Sequence, residues 1–340
     1  MRNLSLHAVA CLAALAAIIV GAAPASAAPP TYELAGHVAG PDGGWDYVTF
    51  DPDLRRVYVS RSDGITALEV DSLHLIGHLA DGQSTHKVVP LRHGAEIAVT
   101  NRGDNSVLFI DAKTGKLISE APTAKGPDGE ILDPHSGLLL VMTHSGQLGL
   151  VDPRTRKAVG SIPVDGAQEE AAAVGDRVYI NLEDKGAIAV VSVAERKVLK
   201  TYPLAGCDGP GGMAYASRAH VLVIACGNGV AKMVRPSDGA IVGSVPIGKG
   251  PDGALYDEAL GLAYIPCGRD GVLDVISVPD GEHASLVQAV KTELGARTGA
   301  VDPKTGRVYL PTAKYDLAHF GPGRFPTVPG TFEILIVAPK

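Results

Sequence analysis

Short apolar runs alternate with polar turn clusters along most of the chain. Residues 126–165 contain four such runs, at Glu130–Leu132, Leu138–Met142, Leu148–Val151 and Ala158–Ile162. The sequences DPHSG, THSGQ and DPRTRK separate them. Runs of this length bounded by Gly, Pro, Asp and Ser are typical of strands joined by tight turns. The pattern therefore predicts a four-stranded antiparallel meander.

The same unit recurs along the chain. Asp46, Lys87, Asp128 and Glu169 are spaced 41 residues apart, and GPDG occurs at both 126–129 and 250–253. The predicted second strand recurs seven times, as RVYVS, EIAVT, LLLVM, RVYIN, HVLVI, GLAYI and RVYLP. One meander cannot cover its own apolar faces, so the copies must stack. Four-stranded repeats of this length characterise propeller blades, and we predict an all-β, seven-bladed β-propeller.

The predicted ring is closed by the N-terminal strand. The blades cover about residues 44–85, 86–125, 126–165, 166–208, 209–249, 250–295 and 296–340. The last blade lacks a fourth strand, whereas residues 32–38 form a surplus strand before the first blade. We expect residues 32–38 to pair beside residues 332–337 and remove the exposed sheet edges. The turns after the second and fourth strands then share one face, called here the upper face, and the long 312–331 loop should cover part of it.

Residues 1–27 follow a different pattern and predict a signal peptide. Arg2 precedes an apolar run that ends in Ala25-Ser26-Ala27, the small-x-small pattern of a signal peptidase site. A membrane anchor is the alternative, but the run is short and Pro24 interrupts it. We expect residues 28–340 to be a periplasmic or secreted propeller with no membrane span after cleavage.

Charge narrows the choice of partners. The formal net charge of the whole chain is −7, and loss of Arg2 with the signal peptide changes it to −8. A nucleic-acid binder is expected to carry a dense basic patch, which this sequence lacks, so nucleic acid is disfavoured. We expect a monomer that recognises a small ligand or an envelope protein on its upper face.

The repeat frame places a set of polar residues around the upper mouth of the channel. The candidate ligand-binding residues are Trp45, Asp46, Arg61, His86, Asp128, Glu169, Asp252, Arg297 and Tyr315. A divalent metal is the one cofactor considered, because imidazole and carboxylate are common ligands; the candidate ligands are His86, Asp128, His144 and Glu169.

Three readings of this ring remain open. We favour a binding or scaffold protein over an enzyme. The alternative is a metal-assisted lactone hydrolase or lyase that uses His86, Glu169 and His144 as acid, base or ligands. The same polar side chains could also do no more than solvate a wide channel mouth.

Three cysteines follow the predicted signal peptide. Cys207 precedes the first strand of the fifth blade and Cys226 ends its second strand, so adjacent strands can bring the two within disulfide reach. An oxidising compartment favours this pair and leaves Cys267 as a free thiol. A thiolate metal site is the alternative, although no CxxC motif is present.

Several longer motifs point to a known group. The sequences NLEDK (181–185), CGRDG (267–271), GARTGAVDP (295–303), YLPTA (309–313) and VPGTFEILIV (328–337) occur in the predicted repeat frame. In this order they resemble exported YncE-like proteins of the YVTN group. The resemblance implies a seven-bladed propeller of the cell envelope and implies no particular reaction.

Overall fold

Seven four-stranded antiparallel sheets form a closed ring. The computed structural model describes residues 29–319 and 326–340, and the predicted signal peptide lies outside the described residues. The described residues contain 28 strands and no α-helix, with short 3₁₀ turns at Glu183–Lys185 and Leu317–His319. The predicted all-β, seven-bladed propeller is therefore confirmed.

The strands follow the chain around the ring in sequence order. Strand β1 is Tyr32–Ala39. Blades 1 to 3 contain β2 (Trp45–Asp51), β3 (Arg56–Arg61), β4 (Gly64–Glu69), β5 (His74–Asp81), β6 (Thr85–Leu91), β7 (Glu96–Asn101), β8 (Ser106–Asp111), β9 (Leu117–Pro122), β10 (Pro127–Leu132), β11 (Leu139–Thr143), β12 (Gln147–Asp152) and β13 (Lys157–Pro163).

Blades 4 to 7 continue the same order. They contain β14 (Gln168–Val174), β15 (Arg177–Leu182), β16 (Ala187–Ser192), β17 (Lys197–Pro203), β18 (Pro210–Ala216), β19 (Val221–Cys226), β20 (Val230–Val234), β21 (Ile241–Pro246), β22 (Leu255–Asp257), β23 (Leu262–Cys267), β24 (Val272–Ser277), β25 (Ser285–Lys291), β26 (Ala300–Asp302), β27 (Arg307–Thr312) and β28 (Glu333–Pro339).

The ring closes through the first strand, as predicted. β1 pairs antiparallel with β28, from Tyr32 opposite Pro339 to Ala39 opposite Glu333, and completes the last blade. The Tyr32 side chain is 1% exposed, and its hydroxyl lies 2.6 Å from the hydroxyl of Tyr264 in blade 6. The N-terminal strand therefore joins the last blade by backbone pairing and also contacts the blade before it.

The apolar core lies between the blades. One cluster joins Leu140 and Met142 of blade 3 to Ile180 and Leu182 of blade 4, and all four side chains are buried. Strand residues alternate between the two sheet faces, so both faces of each inner strand contact a neighbouring blade. This packing explains why the second strands are nearly continuous apolar runs rather than alternating ones.

Aspartates organise the turns between the first and second strands of the blades. The Asp51 carboxylate accepts hydrogen bonds from the backbone N–H groups of Asp53 and Leu54, and Asp133 accepts them from His135 and Ser136. Asp side chains favour turns because they bond backbone N–H groups two or three residues ahead. The dipeptides Asp51-Pro52 and Asp133-Pro134 therefore mark two of these turns.

Glycine lets neighbouring inner strands approach at the centre of the ring. A Cβ atom on Gly212 in β18 would lie 2.3 Å from the carbonyl carbon of Gly253 and 2.5 Å from the nitrogen of Ala254. Only glycine permits such close backbone contact. Glycine at position 212 is therefore required by the packing of blades 5 and 6 at the hub.

The described residues include no helix long and apolar enough to span a bilayer.

Removal of the Tyr32 side chain should weaken ring closure. We expect Tyr32→Ala to lower the free energy of unfolding by about 3–5 kcal/mol, because it empties a buried aromatic site. Guanidinium unfolding followed by circular dichroism measures the change. Leu34→Ala on the same strand is the control; Leu34 is 43% exposed, and its change should stay within about 0.5 kcal/mol. Equal losses in the two variants would contradict the role of Tyr32.

A methyl group at the hub should be poorly tolerated. We expect Gly212→Ala to cost about 1–3 kcal/mol, because the added atom overlaps backbone that cannot move freely. The control is Gly36→Ala, where the added Cβ meets nothing within 4 Å. Thermal denaturation of the two variants should show a clear fall in midpoint for Gly212→Ala, and an unchanged midpoint there would show that the hub is loosely packed.

Candidate functional site

A cavity of about 330 Å³ opens at the upper mouth of the central channel. Its walls come from the beginnings of the inner strands and from the loops beside them. The lining residues are Gly44, Trp45, Asp46, Tyr47, Arg61, Ser62, Ser84, Thr85, His86, Asp128, Glu169, Asp252 and Arg297. Eight of the nine residues predicted to bind a ligand therefore line one cavity, and Tyr315 is the exception.

β-Bulges position the main polar side chains. In blade 1, Trp45 pairs with Arg61, but the next pair is Val48 with Val59, so the inner strand carries one extra residue. The same register shift occurs in β6, β10, β14 and β18. A bulge places two consecutive residues opposite one and redirects their side chains. Asp46, His86, Asp128 and Glu169 all lie within these bulges, which explains why they project toward the channel.

His86 lies between two carboxylates from neighbouring blades. Its Nδ1 is in close contact with Oδ2 of Asp46 and lies 3.6 Å from Oδ1 of Asp128. Asp128 is 6% exposed, and burial raises its pKa. Burial lowers the pKa of His86, but the nearby carboxylates more than offset this effect and the net pKa is raised.

A second histidine continues this chain of charges. Nε2 of His144, in the turn between β11 and β12, lies 2.9 Å from Oε1 of Glu169 and 3.5 Å from Oδ2 of Asp128. Burial raises the pKa of Glu169 to about 7, although the contact with His144 acts in the opposite direction. The hydrogen bond to Glu169 in turn raises the pKa of His144. Glu169 is therefore an acid with a strongly perturbed pKa in the cavity wall, as is common at functional sites.

Arg297 connects residues of different blades on the other side of the cavity mouth. Its Nε donates to Oδ2 of Asp252 at 2.8 Å, and its Nη2 donates to the carbonyl of Trp45 at 3.2 Å. The same Nη2 lies 3.7 Å from Oδ1 of Asp46. Arg297 thus bridges blades 6, 7 and 1 and leaves one face of the cavity charged.

Side chains meet across the channel below the cavity. The Tyr47 hydroxyl of blade 1 donates to Oε2 of Glu169 in blade 4 at 3.3 Å. Lys87 of blade 2 pairs with Glu170 of blade 4 at 3.1 Å, and Glu170 also accepts from the backbone N–H of Met213 in blade 5. These contacts narrow the channel beneath the cavity and give the cavity a polar floor.

Some predicted residues have mainly structural contacts. The Arg61 guanidinium donates to the carbonyls of Pro41 and Gly44 and lies 3.8 Å above the ring of Phe332. Tyr315 is not among the lining residues, and its ring packs 6.5 Å from that of Trp45. Arg61 therefore stabilises the loop at the rim of the cavity, and Tyr315 packs against Trp45.

The cysteines lie outside the cavity. Cys207 and Cys226 form a disulfide with their Cα atoms 5.2 Å apart, and Cys267 is a buried free thiol. The thiol of Cys267 faces Asp274 Oδ2 at 3.5 Å, and burial raises its pKa. A raised pKa keeps this cysteine protonated and unreactive.

Sequence reasoning missed the inward role of several residues beside the predicted ones. Tyr47 and Lys87 each follow a predicted site position by one residue, and a regular strand would turn them away. The bulges bring them inward. Arg102, in the turn between β7 and β8, donates to Oδ2 of Asp128 at 3.0 Å. The repeat frame already places Arg102 in an upper-face turn, although not among the candidate ligand-binding residues.

The arrangement is suited to binding polar or positively charged groups. Four carboxylates, from Asp46, Asp128, Glu169 and Asp252, face the cavity, and the arginines that contact them are Arg102 and Arg297. Asp46, His86 and Asp128 also offer one nitrogen and two oxygens to a metal ion, with the donor atoms within 4.8 Å of one another.

A further buried acid lies on β10 near the site. Glu130 is 1% exposed, and its two carboxylate oxygens lack a hydrogen-bond partner among the described residues. Burial raises the pKa of Glu130 to about 8, although Lys87 partly opposes this effect. Glu130 is therefore a neutral acid at neutral pH.

Stability should fall with rising pH because of Glu130. Between its usual pKa and about 8, the folded chain holds a proton that the unfolded chain has lost. Each pH unit in this window should cost up to about 1.4 kcal/mol. The free energy of unfolding, measured with urea from pH 5 to 9, should fall less steeply with pH in Glu130→Gln than in the unmodified chain. Glu120→Gln, at an exposed site, should show the same pH dependence as the unmodified chain. An identical pH dependence in all three would refute the assignment.

Comparisons with known proteins agree on the architecture. No family model and no curated protein matches the chain. A chain of Kuenenia stuttgartiensis hydrazine synthase is similar with a TM-score of 0.69 and 15% identity, over 81% of this chain and 94% of that one. A chain of the mitotic checkpoint complex matches with a TM-score of 0.73 and 14% identity, over 99% and 98%.

A third similar structure is that of the RRP9 WD40 repeats. Its TM-score is 0.72 at 11% identity, over 91% of this chain and 99% of that one. Likeness at such low identity concerns the fold and not the site chemistry. The chain is therefore a seven-bladed β-propeller, and its function must be argued from its own residues.

Proposed function

We propose that this protein is an exported, YncE-like binding protein that holds a small cationic ligand in the cavity at its upper mouth. The observation that carries the proposal is the charge of the cavity. The carboxylates of Asp46, Asp128, Glu169 and Asp252 face a space of about 330 Å³; Arg102 and Arg297 contact them, and Arg61 lines the same space. Where His86 and His144 are neutral, the four carboxylates outnumber the three arginines, which favours a positively charged occupant.

The size and rigidity of the cavity support a small ligand over a protein segment. A volume of about 330 Å³ lies at the lower end of ordinary small-molecule pockets. Asp46, Asp128 and Glu169 belong to inner strands that are held by sheet pairing and by cross-channel contacts such as that of Tyr47 with Glu169. A preorganised wall lowers the ordering cost of binding.

The predicted signal peptide and the quoted motifs support the exported and YncE-like parts of the proposal. Residues 181–185 and 328–337 carry the more specific of those motifs. A propeller is also a common scaffold for protein interaction, so an envelope protein remains the alternative partner. The comparisons give no support to a hydrolase or lyase, and we propose binding without a reaction.

The single tryptophan of the chain provides the test. Trp45 lines the cavity, so a bound ligand should change its emission. We expect saturable fluorescence titrations of the full chain, in chelator at pH 8, with the small cations putrescine, agmatine or ethanolamine, and none with uncharged glucose. Asp252→Asn should weaken the binding of the amines about tenfold or more, because it removes a facing negative charge.

The control for this titration is an exposed aspartate away from the cavity. Asp280 pairs with His283 on the surface, so Asp280→Asn should bind the amines like the unmodified chain. Equal weakening by Asp280→Asn and Asp252→Asn would show a nonspecific charge effect. A flat titration with all three amines would overturn the cationic-ligand proposal.

A further inference from the structure

Three potential metal ligands converge at one wall of the cavity. They are Asp46, His86 and Asp128, which come from the inner strands of three consecutive blades. Their donor atoms lie within 4.8 Å of one another. Each residue sits in a β-bulge of a paired strand, so the backbone holds the three side chains in fixed relative positions.

One buried imidazole nitrogen is shared between two carboxylates. Nδ1 of His86 is in close contact with Oδ2 of Asp46 and lies 3.6 Å from Oδ1 of Asp128. An imidazole nitrogen carries at most one proton and cannot serve two carboxylates at once. Two anionic oxygens and one nitrogen that point at a common centre provide the donors that a cation requires.

Neighbouring arginines orient the two carboxylates toward this centre. Asp128 turns Oδ1 toward His86, while its Oδ2 accepts from Arg102 at 3.0 Å. Asp46 turns Oδ2 toward His86, while its Oδ1 lies 3.7 Å from Nη2 of Arg297. In each case the arginine contacts the carboxylate oxygen that faces away from His86, and the oxygen that faces His86 has no arginine contact. Outer contacts of this kind orient the ligands of metal sites.

We infer that Asp46, His86 and Asp128 bind one divalent transition-metal ion of the Zn²⁺ type. One nitrogen and two oxygen ligands suit such an ion, and the open cavity beside them leaves coordination positions for water or another molecule. The inference uses the cavity of the proposed function, but it does not require that the cationic ligand bind.

Calorimetric titration of the chelator-treated full chain with Zn²⁺ alone tests the inference. We expect one site per chain, and a loss of affinity of more than about 100-fold in His86→Ala. Asp128→Asn should also weaken binding. Co²⁺ provides a second readout, because its visible absorption bands report nitrogen and oxygen ligation and should disappear in His86→Ala. Circular dichroism and Trp45 emission establish that each variant is folded.

The matched control is another histidine–aspartate pair. His283 lies 2.9 Å from Asp280 on an exposed surface, and His283→Ala should leave the Zn²⁺ affinity unchanged. Equal affinity of the unmodified chain and His86→Ala, or no stoichiometric binding at all, would overturn the inference and leave a protonated His86 between two aspartates. Zn²⁺ binding without amine binding would keep this inference and refute the proposed ligand; amine binding in chelator without Zn²⁺ binding would do the reverse.

Discussion

Pairing of β1 with β28 is the constraint on which the rest of the structure depends. The last blade has three strands of its own, and the N-terminal strand supplies the fourth. Once the circle is closed, all seven inner strands must share a narrow centre, and no blade can relax outward. Arg55 of blade 1 reinforces the junction through a paired contact with the buried Asp302 of blade 7.

Crowding at the centre determines which residues the inner strands can carry. Gly212 permits close backbone contact between blades 5 and 6. Blade 5 has Gly211 where blades 1, 2, 3, 4 and 6 carry Asp46, His86, Asp128, Glu169 and Asp252. The hub is therefore tightly packed beside blade 5, and polar side chains line the rest of the mouth. An asymmetric cavity results from a nearly symmetric repeat, and the bulges direct the polar side chains into it.

Electrostatics gives this cavity its chemical character. Carboxylates from different blades are brought close in a partly buried setting, where like charges oppose ionisation and positive groups are strongly favoured. The raised pKa of Glu169 reflects its burial first and the neighbouring acids after that. Arg102 and Arg297 compensate part of the charge and orient the acids. Either a cationic ligand or a metal ion would supply the remaining positive charge.

The sequence alone determined the number of blades, the closing strand and the face on which the polar residues gather. The 41-residue period, and the apolar runs separated by turn residues, predict these features. Strands and turns depend mainly on residues that are close in the sequence, so a local pattern is enough to find them. Only the tertiary structure decided that Tyr47 and Lys87 turn inward, that Arg61 supports the rim, and which oxygen of Asp46 and Asp128 faces His86. Those features depend on bulges and on contacts between blades far apart in the chain, and a repeat period does not encode either.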